Sequence, residues 1–360
     1  MSNVNRQLGL DSDMRLIVVG CGGMGTYQAK KFQQLGATIV GAIDHNPTNL
    51  RAFCSLYAVP WSSTSIADLA LMRDRADAVS CALPDRFHLS CCSLALSLGF
   101  ALFAEKPMGF DLIQAQAIVE ASGSRSIPAM VNYSKRNMRA LHALGTVVCD
   151  GRLGILQSVS IQYNQGWVLT NAWGDWKTDS RWKWRLLPSF GNAGCIGDLA
   201  SHLVDSLFFL FGSVSYADTI SVVTLENLVS DGTISLGTEY HDTFLCNGSV
   251  PVAYEGSLLV GNGIPCHLSC TQVSPTDGDA VTITIVGSSG TAVLDSSLSR
   301  HAVTVSSDTG ACVVEGPSAV ASTYSSFVTW VDTGIPARPT LSDGLLVQEI
   351  LEEMKQWRSS

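Results

Sequence analysis

Short apolar runs alternate with helical patterns through the first third of the chain. Runs of strand length occupy 16–19, 38–43, 78–83, 101–104 and 128–132, and helical patterns occupy 23–35 and 86–98. Strands that alternate with helices predict βαβ units, a parallel sheet and right-handed crossovers. The character changes after about Asn137. A helix over 138–149 precedes a strand over 156–163, then a tryptophan-rich stretch, then a helix that begins near Asp198. Residues 218–314 are rich in Thr, Val, Ser and Gly, with many short β-like runs and no convincing helix, which predicts an antiparallel sheet. Helices over 319–332 and 342–357 close the chain.

Composition narrows the class. A chain of 360 residues suits two domains better than one. Apolar residues make up 46% and charged residues 15%, the balance of a globular protein. The net charge of −9 comes without a dense basic run, which argues against nucleic acid or an acidic membrane surface as partner. No apolar stretch has transmembrane length, so no membrane partner is expected. Residues 1–13 read as a flexible polar tail without the layout of a signal peptide. Eleven cysteines with no CxxC pair suggest free thiols in a cytoplasmic protein and no metal site.

Gly20, Gly22 and Gly25 fit GxGxxG, with Gly23 and Met24 completing the turn between a strand and a helix. Such glycines permit a tight turn, a close approach to a pyrophosphate and close helix–sheet packing. The helix N-terminus then offers unpaired N–H groups to phosphate. Asp44 ends the second strand, 24 residues after Gly20, where an acid can bind the ribose 2′-OH. An acid there repels a 2′-phosphate, so NAD is favoured over NADP, although Arg51 is near enough in sequence to reach one.

Glu105-Lys106-Pro107 follows the fourth strand at the carboxyl end, where open α/β sheets bind ligands. A lysine there could stabilise a developing alkoxide; a surface lysine before a turn is the competing reading. Asp198 and His202, four apart, share a helix face with Asp205, while Ala200, Val204, Leu207, Phe208 and Phe211 make the apolar stripe. His202 could accept a hydroxyl proton and Asp198 orient it; an N-cap aspartate with a solvated histidine is the bland alternative. Five of the eight tryptophans fall between Trp167 and Trp184. Their flat apolar faces suit the C–H patches of a sugar ring, or else they pack an interface or a lid.

These residues resemble the glucose–fructose oxidoreductase / inositol dehydrogenase (Gfo/Idh/MocA) family over nearly the whole chain, 14–357. Leu83-Pro84-Asp85 with His88 is similar to the family's Pro-Asn-x-x-His segment beside the nicotinamide ribose, with Asp where Asn is usual. Glu105-Lys106-Pro107 is similar to its EKP signature, and 132–136 to the segment leaving the last Rossmann strand. Trp184-Arg185 and 191–202 resemble its W-R…G-x-x-G-x-x-x-D-x-x-x-H stretch, and 287–291 and 343–345 its later landmarks. The resemblance implies an α/β fold: an N-terminal Rossmann domain over 14–136 and an α/β domain over 137–341 with a large, open, mostly antiparallel sheet. A C-terminal helix over 342–360 is expected to pack back toward the Rossmann domain. It implies Lys106, Asp198 and His202 as catalytic residues. Cofactor contacts fall to the glycine turn, Asp44, Leu83, Pro84, His88, Glu105 and Lys106. Substrate contacts fall to Lys106, Tyr133, Lys135, Trp167, Trp184, Arg185, Asp198 and His202. It also implies a homodimer or homotetramer formed through the exposed face of the second sheet.

Residues 165–167 and 184–185 look most like the dehydrogenases of cyclitols and anhydrosugars. The expected activity is NAD(P)-dependent hydride transfer at a secondary hydroxyl of a sugar, anhydrosugar or cyclitol, or at the matching ketone. The alternatives are a glycosidase that oxidises its substrate transiently with NAD, and a non-catalytic sugar or dinucleotide sensor.

Overall fold

Apolar patterning builds two units, which a computed structural model describes over residues 12–123, 126–187, 189, 194–235 and 250–356. One unit takes the chain up to Ser134 together with Ala321–Gln348; the other takes Lys135–Val320 and the chain from Glu349. This division differs from the sequence boundaries at both ends, for identifiable reasons. Lys135 and Arg136 pair with Asp279 and Asp205 of the second unit. The helix Thr323–Thr333 sends Tyr324, Phe327 and Val328 into the core of the first. There Phe32, Phe103, Tyr324 and Phe327 meet with ring centroids 5.0 to 6.0 Å apart. Of the residues read as a tail, 1–11 lie outside the described residues. Ser12 is buried, and its hydroxyl donates to Asp332.

The first unit holds six strands: β1 (Arg15–Val19), β2 (Thr38–Ile43), β3 (Trp61–Ser63), β4 (Ala78–Cys81), β5 (Ala101–Ala104) and β6 (Ala129–Val131). All neighbours are parallel, in the order β3-β2-β1-β4-β5-β6. This is the doubly wound order, whose switch point lies between β1 and β4. Strands β1, β4 and β5 read RLIVV, AVSC and ALFA and are buried almost throughout, as parallel strands covered on both faces must be. Sequence patterning left β3, the helices Pro47–Tyr57 and Leu112–Ser122 and the 3-10 helix Ile66–Met72 unassigned. The two helices start on Asn46 and Asp111, whose side chains accept from backbone N–H groups of the first turn. The expected helix over 86–98 opens as a 3-10 turn, Asp85–Phe87, and continues as His88–Ser97.

The second unit holds β7 (Leu156–Gln165), β8 (Val214–Thr224), β9 (Pro251–Val260), β10 (Ile264–Thr271), β11 (Asp279–Gly287), β12 (Gly290–Asp295), β13 (Ala302–Ser307) and β14 (Gly310–Glu315). They form one sheet in the order β14-β13-β12-β11-β7-β10-β9-β8. Every pair is antiparallel except β7 with β10. Val159, Ile161, Leu268, Val281, Ile283 and Ile285 share the packed face and are buried. The opposite face carries Ser158, Ser160, Gln162, Thr282, Thr284 and His267 together with Leu259, Val286 and Val293, so it is mixed.

Two helical expectations change here. The region read as free of helix contains Leu225–Ser230, started by a capping box between Thr224 and Asn227. The helix near Asp198 begins as a π turn, Ile196–Ala200, and continues as Ser201–Phe211. It is buried on nearly all sides at its start: His202, Asp205 and Ser206 are buried, while Phe208 and Phe211, assigned to the buried stripe, are half-exposed. The ten described cysteines are all free. No helix among the described residues is long and apolar enough to cross a membrane, and none of their His, Cys, Asp and Glu side chains group to hold a metal.

Candidate active site

In the first unit the glycine turn leaves β1 at Gly20, whose φ of +92° favours glycine. The Gly20 N–H donates to Ile43 O at 2.8 Å. A Cβ on Gly25 would lie 1.8 Å from Gly20 O, so the helix can start this close only with glycine. Above Gly22 and Gly23 the space is open within 4 Å. The helix Gly23–Gln34 has no side-chain cap and no acid in its first turn, which leaves N–H groups for an anion. Asp44 is buried; its Oδ2 accepts from the Cys21 N–H at 2.7 Å and its Oδ1 from the Asn46 N–H at 2.8 Å. A carboxylate has about four acceptor sites, so capacity remains for a ribose diol. Open space, a bare helix start and a buried carboxylate at the next strand end together fit a dinucleotide.

At the exits of β4 and β5 the side chains turn inward. Glu105 Oε1 accepts from Gln28 Nε2 at 2.6 Å and from Asn132 Nδ2 at 2.7 Å, and its Oε2 accepts from the Lys106 N–H at 3.2 Å. Gln28 in turn accepts from the Ser80 hydroxyl, and Asn132 accepts from Thr323 at 2.8 Å and donates to Tyr324. Glu105 therefore fixes the backbone that carries Lys106 instead of pointing outward. Lys106 is half-buried. His88, expected beside the cofactor, is fully buried with both ring nitrogens against backbone carbonyls. Tyr133, expected at the substrate, is fully buried as well.

The second unit gathers a polar cluster. Asp198 Oδ1 accepts from Arg185 Nη1 at 2.9 Å and Oδ2 from Gln272 Nε2 at 3.2 Å. The His202 ring centroid lies 6.4 Å from that of Tyr163. Gln165 Nε2 donates to the Tyr163 hydroxyl at 3.1 Å and to Asp279 at 3.0 Å. Lys135 Nζ sits 4.2 Å above the Tyr163 ring and 3.9 Å from Asp279. Burial, then the Asp279 carboxylate, holds the Tyr163 phenol well above its usual value, so it stays protonated. Burial alone would raise the Asp279 carboxyl, but Lys135, Tyr163 and Gln165 outweigh it and hold the group below the usual range. Asp205, expected beside Asp198 and His202, is instead fully buried and paired with Arg136.

Of the two readings of the tryptophans, packing is the one that holds for Trp167 and Trp176. Trp167 and Trp176 are 1% exposed and pack with Leu186, Leu225, Val250 and Val252. Trp173 stacks on Trp167 at 5.4 Å, and Trp182 leans on Trp173 at 5.0 Å. Large rings gain most from burial, and here that outweighs a place at a ligand. Trp184 stays half-exposed, with the Arg185 guanidinium 4.7 Å from its ring centroid. Gly191, Asn192 and Ala193 of the resembling stretch lie outside the described residues.

Sequence reasoning passed over Gln272 and Asp279 and gave Gln165 a place only in the subgroup resemblance, although a signal was present. Each occupies the buried phase of its strand or its continuation: Val159-x-Ile161-x-Tyr163-x-Gln165, Cys266-x-Leu268-x-Cys270-x-Gln272 and Asp279-x-Val281-x-Ile283. A polar residue in an apolar phase needs a partner or a task. Asp279 pairs with Gln165 in register, which brings the three to one end of the sheet.

Comparison with known proteins places this geometry. Residues 14–133 match the GFO_IDH_MocA model, described as an oxidoreductase family with an NAD-binding Rossmann fold, and residues 141–293 match the GFO/IDH/MocA C-terminal domain. The chain is 23% identical over 197 residues to glucose-6-phosphate 3-dehydrogenase of Bacillus subtilis (strain 168), covering 54% of this chain and 53% of that protein. It is 26% identical over 258 residues to a putative UDP-kanosamine synthase oxidoreductase subunit of Amycolatopsis mediterranei (strain S699), covering 71% and 67%. The match thus spans half to two thirds of the length of these relatives. Levoglucosan dehydrogenase in complex with NADH and levoglucosan has the same fold, with a TM-score of 0.79, 17% identity and coverage of 96% of this chain and 97% of that one. The chain belongs to the Gfo/Idh/MocA oxidoreductase family, with an NAD-binding Rossmann domain and the family's C-terminal domain.

Proposed function

We propose that the protein transfers a hydride between NAD and a secondary hydroxyl of a sugar, anhydrosugar or cyclitol, in either direction. The observation that carries this reading is Asp198, held on both oxygens by Arg185 and Gln272 four residues before His202. In this reading Asp198 accepts a hydrogen bond from a substrate hydroxyl or orients the His202 ring, and His202 takes the proton of the reacting hydroxyl. Imidazole suits that task because its ordinary pKa lies near neutrality. Lys106, its backbone fixed by Glu105, donates to the hydroxyl oxygen and stabilises negative charge as it develops. Nicotinamide, when bound, supplies the hydride acceptor or donor. The relatives named above act on sugars by their printed descriptions, which supports the substrate class. The ring, the carbon and the direction are for a screen: NADH absorbance against cyclitols, aldoses, anhydrosugars and their keto forms. Net NADH with at least one free ring alcohol supports the reading. Bond cleavage without net NADH supports a glycosidase, and binding without turnover a sensor.

Cofactor preference tests Asp44 separately. Asn46 caps the helix Pro47–Tyr57, whereas the His45 side chain is 89% exposed, so a phosphate partner belongs at His45. Asp44→Ser with His45→Arg should shift the NADP/NAD ratio of kcat/KM toward NADP by about tenfold or more, equivalent to about 1.4 kcal/mol. A wild-type protein that already prefers NADP would remove the charge argument.

A further inference from the structure

His88 is an imidazole whose two nitrogens both face acceptors. Leu83 O lies 2.8 Å from Nε2 and Met108 O lies 3.1 Å from Nδ1. A carbonyl oxygen can only accept. Neutral imidazole has one N–H and one lone pair, so it satisfies one carbonyl and sets its lone pair against the other. The imidazolium donates to both. The ring is fully buried, and a buried charge requires a counter-charge. Asp85, buried three residues earlier in the 3-10 turn, is a carboxylate whose charge acts on the ring. Cys81, at the end of β4, is the other titratable group acting on the ring. Cys91 and Cys92, buried on the helix that His88 begins, act on Cys81 in turn. Burial alone would lower the His88 pKa, but Cys81, Asp85 and the two carbonyls outweigh it and leave it raised.

We propose that His88 is a positioning residue: a buried imidazolium, balanced by Asp85, that ties the Leu83 exit of β4 to the Met108 backbone and so fixes the loop carrying Lys106. Its importance for turnover rests on the proposed function; its protonation does not. The tie gives the first unit a pH dependence of definite sign. A raised folded-state pKa adds stability that is fully present below the ordinary imidazole pKa and is lost as pH rises through the folded value. Asp85→Asn removes the counter-charge with little change of shape and should bring that loss to lower pH.

The test is 15N NMR of histidine-labelled protein, with His88 assigned by loss of its signals in His88→Gln. In the wild type both ring nitrogens should carry hydrogen across about pH 6 to 8, the range in which an unperturbed histidine titrates. In Asp85→Asn the same ring should titrate within or nearer that range, with the thermal midpoint falling over the same interval. Once a substrate is known, kcat of Asp85→Asn should fall over that interval too, a coincidence that a purely structural role would not produce. His88→Gln should lower kcat by about tenfold or more, while NAD affinity changes by less than about threefold. An unprotonated ring nitrogen at neutral pH in the wild type overturns the proposal, as does an Asp85→Asn protein whose His88 titration is unmoved. If no ring alcohol is turned over, the proposed function fails, and the NMR and thermal measurements still decide the state of His88.

Discussion

His202→Ala lowers kcat by about two to four orders of magnitude, the usual worth of a positioned general base. Alanine leaves nothing on that helix turn to accept a proton, and Asp198 is already engaged by Arg185 and Gln272. NAD affinity should stay near the wild-type value, because His202 belongs to the second unit and the glycine turn and Asp44 to the first. The acid limb of the kcat/KM profile, where imidazole gains a proton, should disappear. Lys106→Ala should also lower turnover severely, with a larger disturbance of cofactor binding because Lys106 lies in the unit that carries the dinucleotide cradle. A His202→Ala enzyme with near-normal turnover and an unchanged pH profile would exclude His202 as the base.

Asp205→Ala should destabilise the second unit by about 3–5 kcal/mol, the cost of leaving one charge of a buried pair without its partner. Arg136 donates to Asp205 through Nε at 2.9 and 3.1 Å and through Nη2 at 2.6 Å. The Asp205 side chain is wholly buried and that of Arg136 is 10% exposed. Removing the aspartate takes away the carboxylate that accepts these hydrogen bonds, where water reaches the guanidinium poorly. Denaturant unfolding followed by tryptophan fluorescence reads this unit well, since Trp167, Trp173, Trp176, Trp182 and Trp184 all lie in it. Adding Arg136→Met to Asp205→Ala should recover much of the loss, because both charges are then gone. A single variant within about 1 kcal/mol of wild type would mean that the pair contributes no more than a surface ion pair.

The first unit was the more legible from sequence. Apart from β3, which reads WSS and is only half-buried, its strands are short and largely buried, so they appear as apolar runs, and the glycine turn has a pattern of its own. The second unit was legible as a sheet, because alternation survives in β7, β10 and β11. Its site was only half legible. Asp198, His202, Lys135 and Arg185 stand out as charged residues near a helix start or a strand end. Gln272 and Asp279 act from strands far along the chain, and no local spacing ties them to Asp198 or Tyr163. Composition misled where burial decided the outcome. Trp167 and Trp176, suited to a sugar face, became core; Glu105 and His88 turned inward to hold the backbone, and Tyr133 is fully buried. Asp205 followed helical spacing onto the face of Asp198 and His202, but the buried guanidinium of Arg136 claimed it.

The most direct test of the central claim follows the hydride itself. The protein is incubated with NADH deuterated at C4 and the keto form of a ring alcohol found in the screen, and the product is read by mass spectrometry and NMR. The account predicts deuterium from one face of C4 on the ring carbon that becomes CH–OH, one label per NADH consumed. Product that carries solvent hydrogen at that carbon, or NADH that is never consumed, would contradict it.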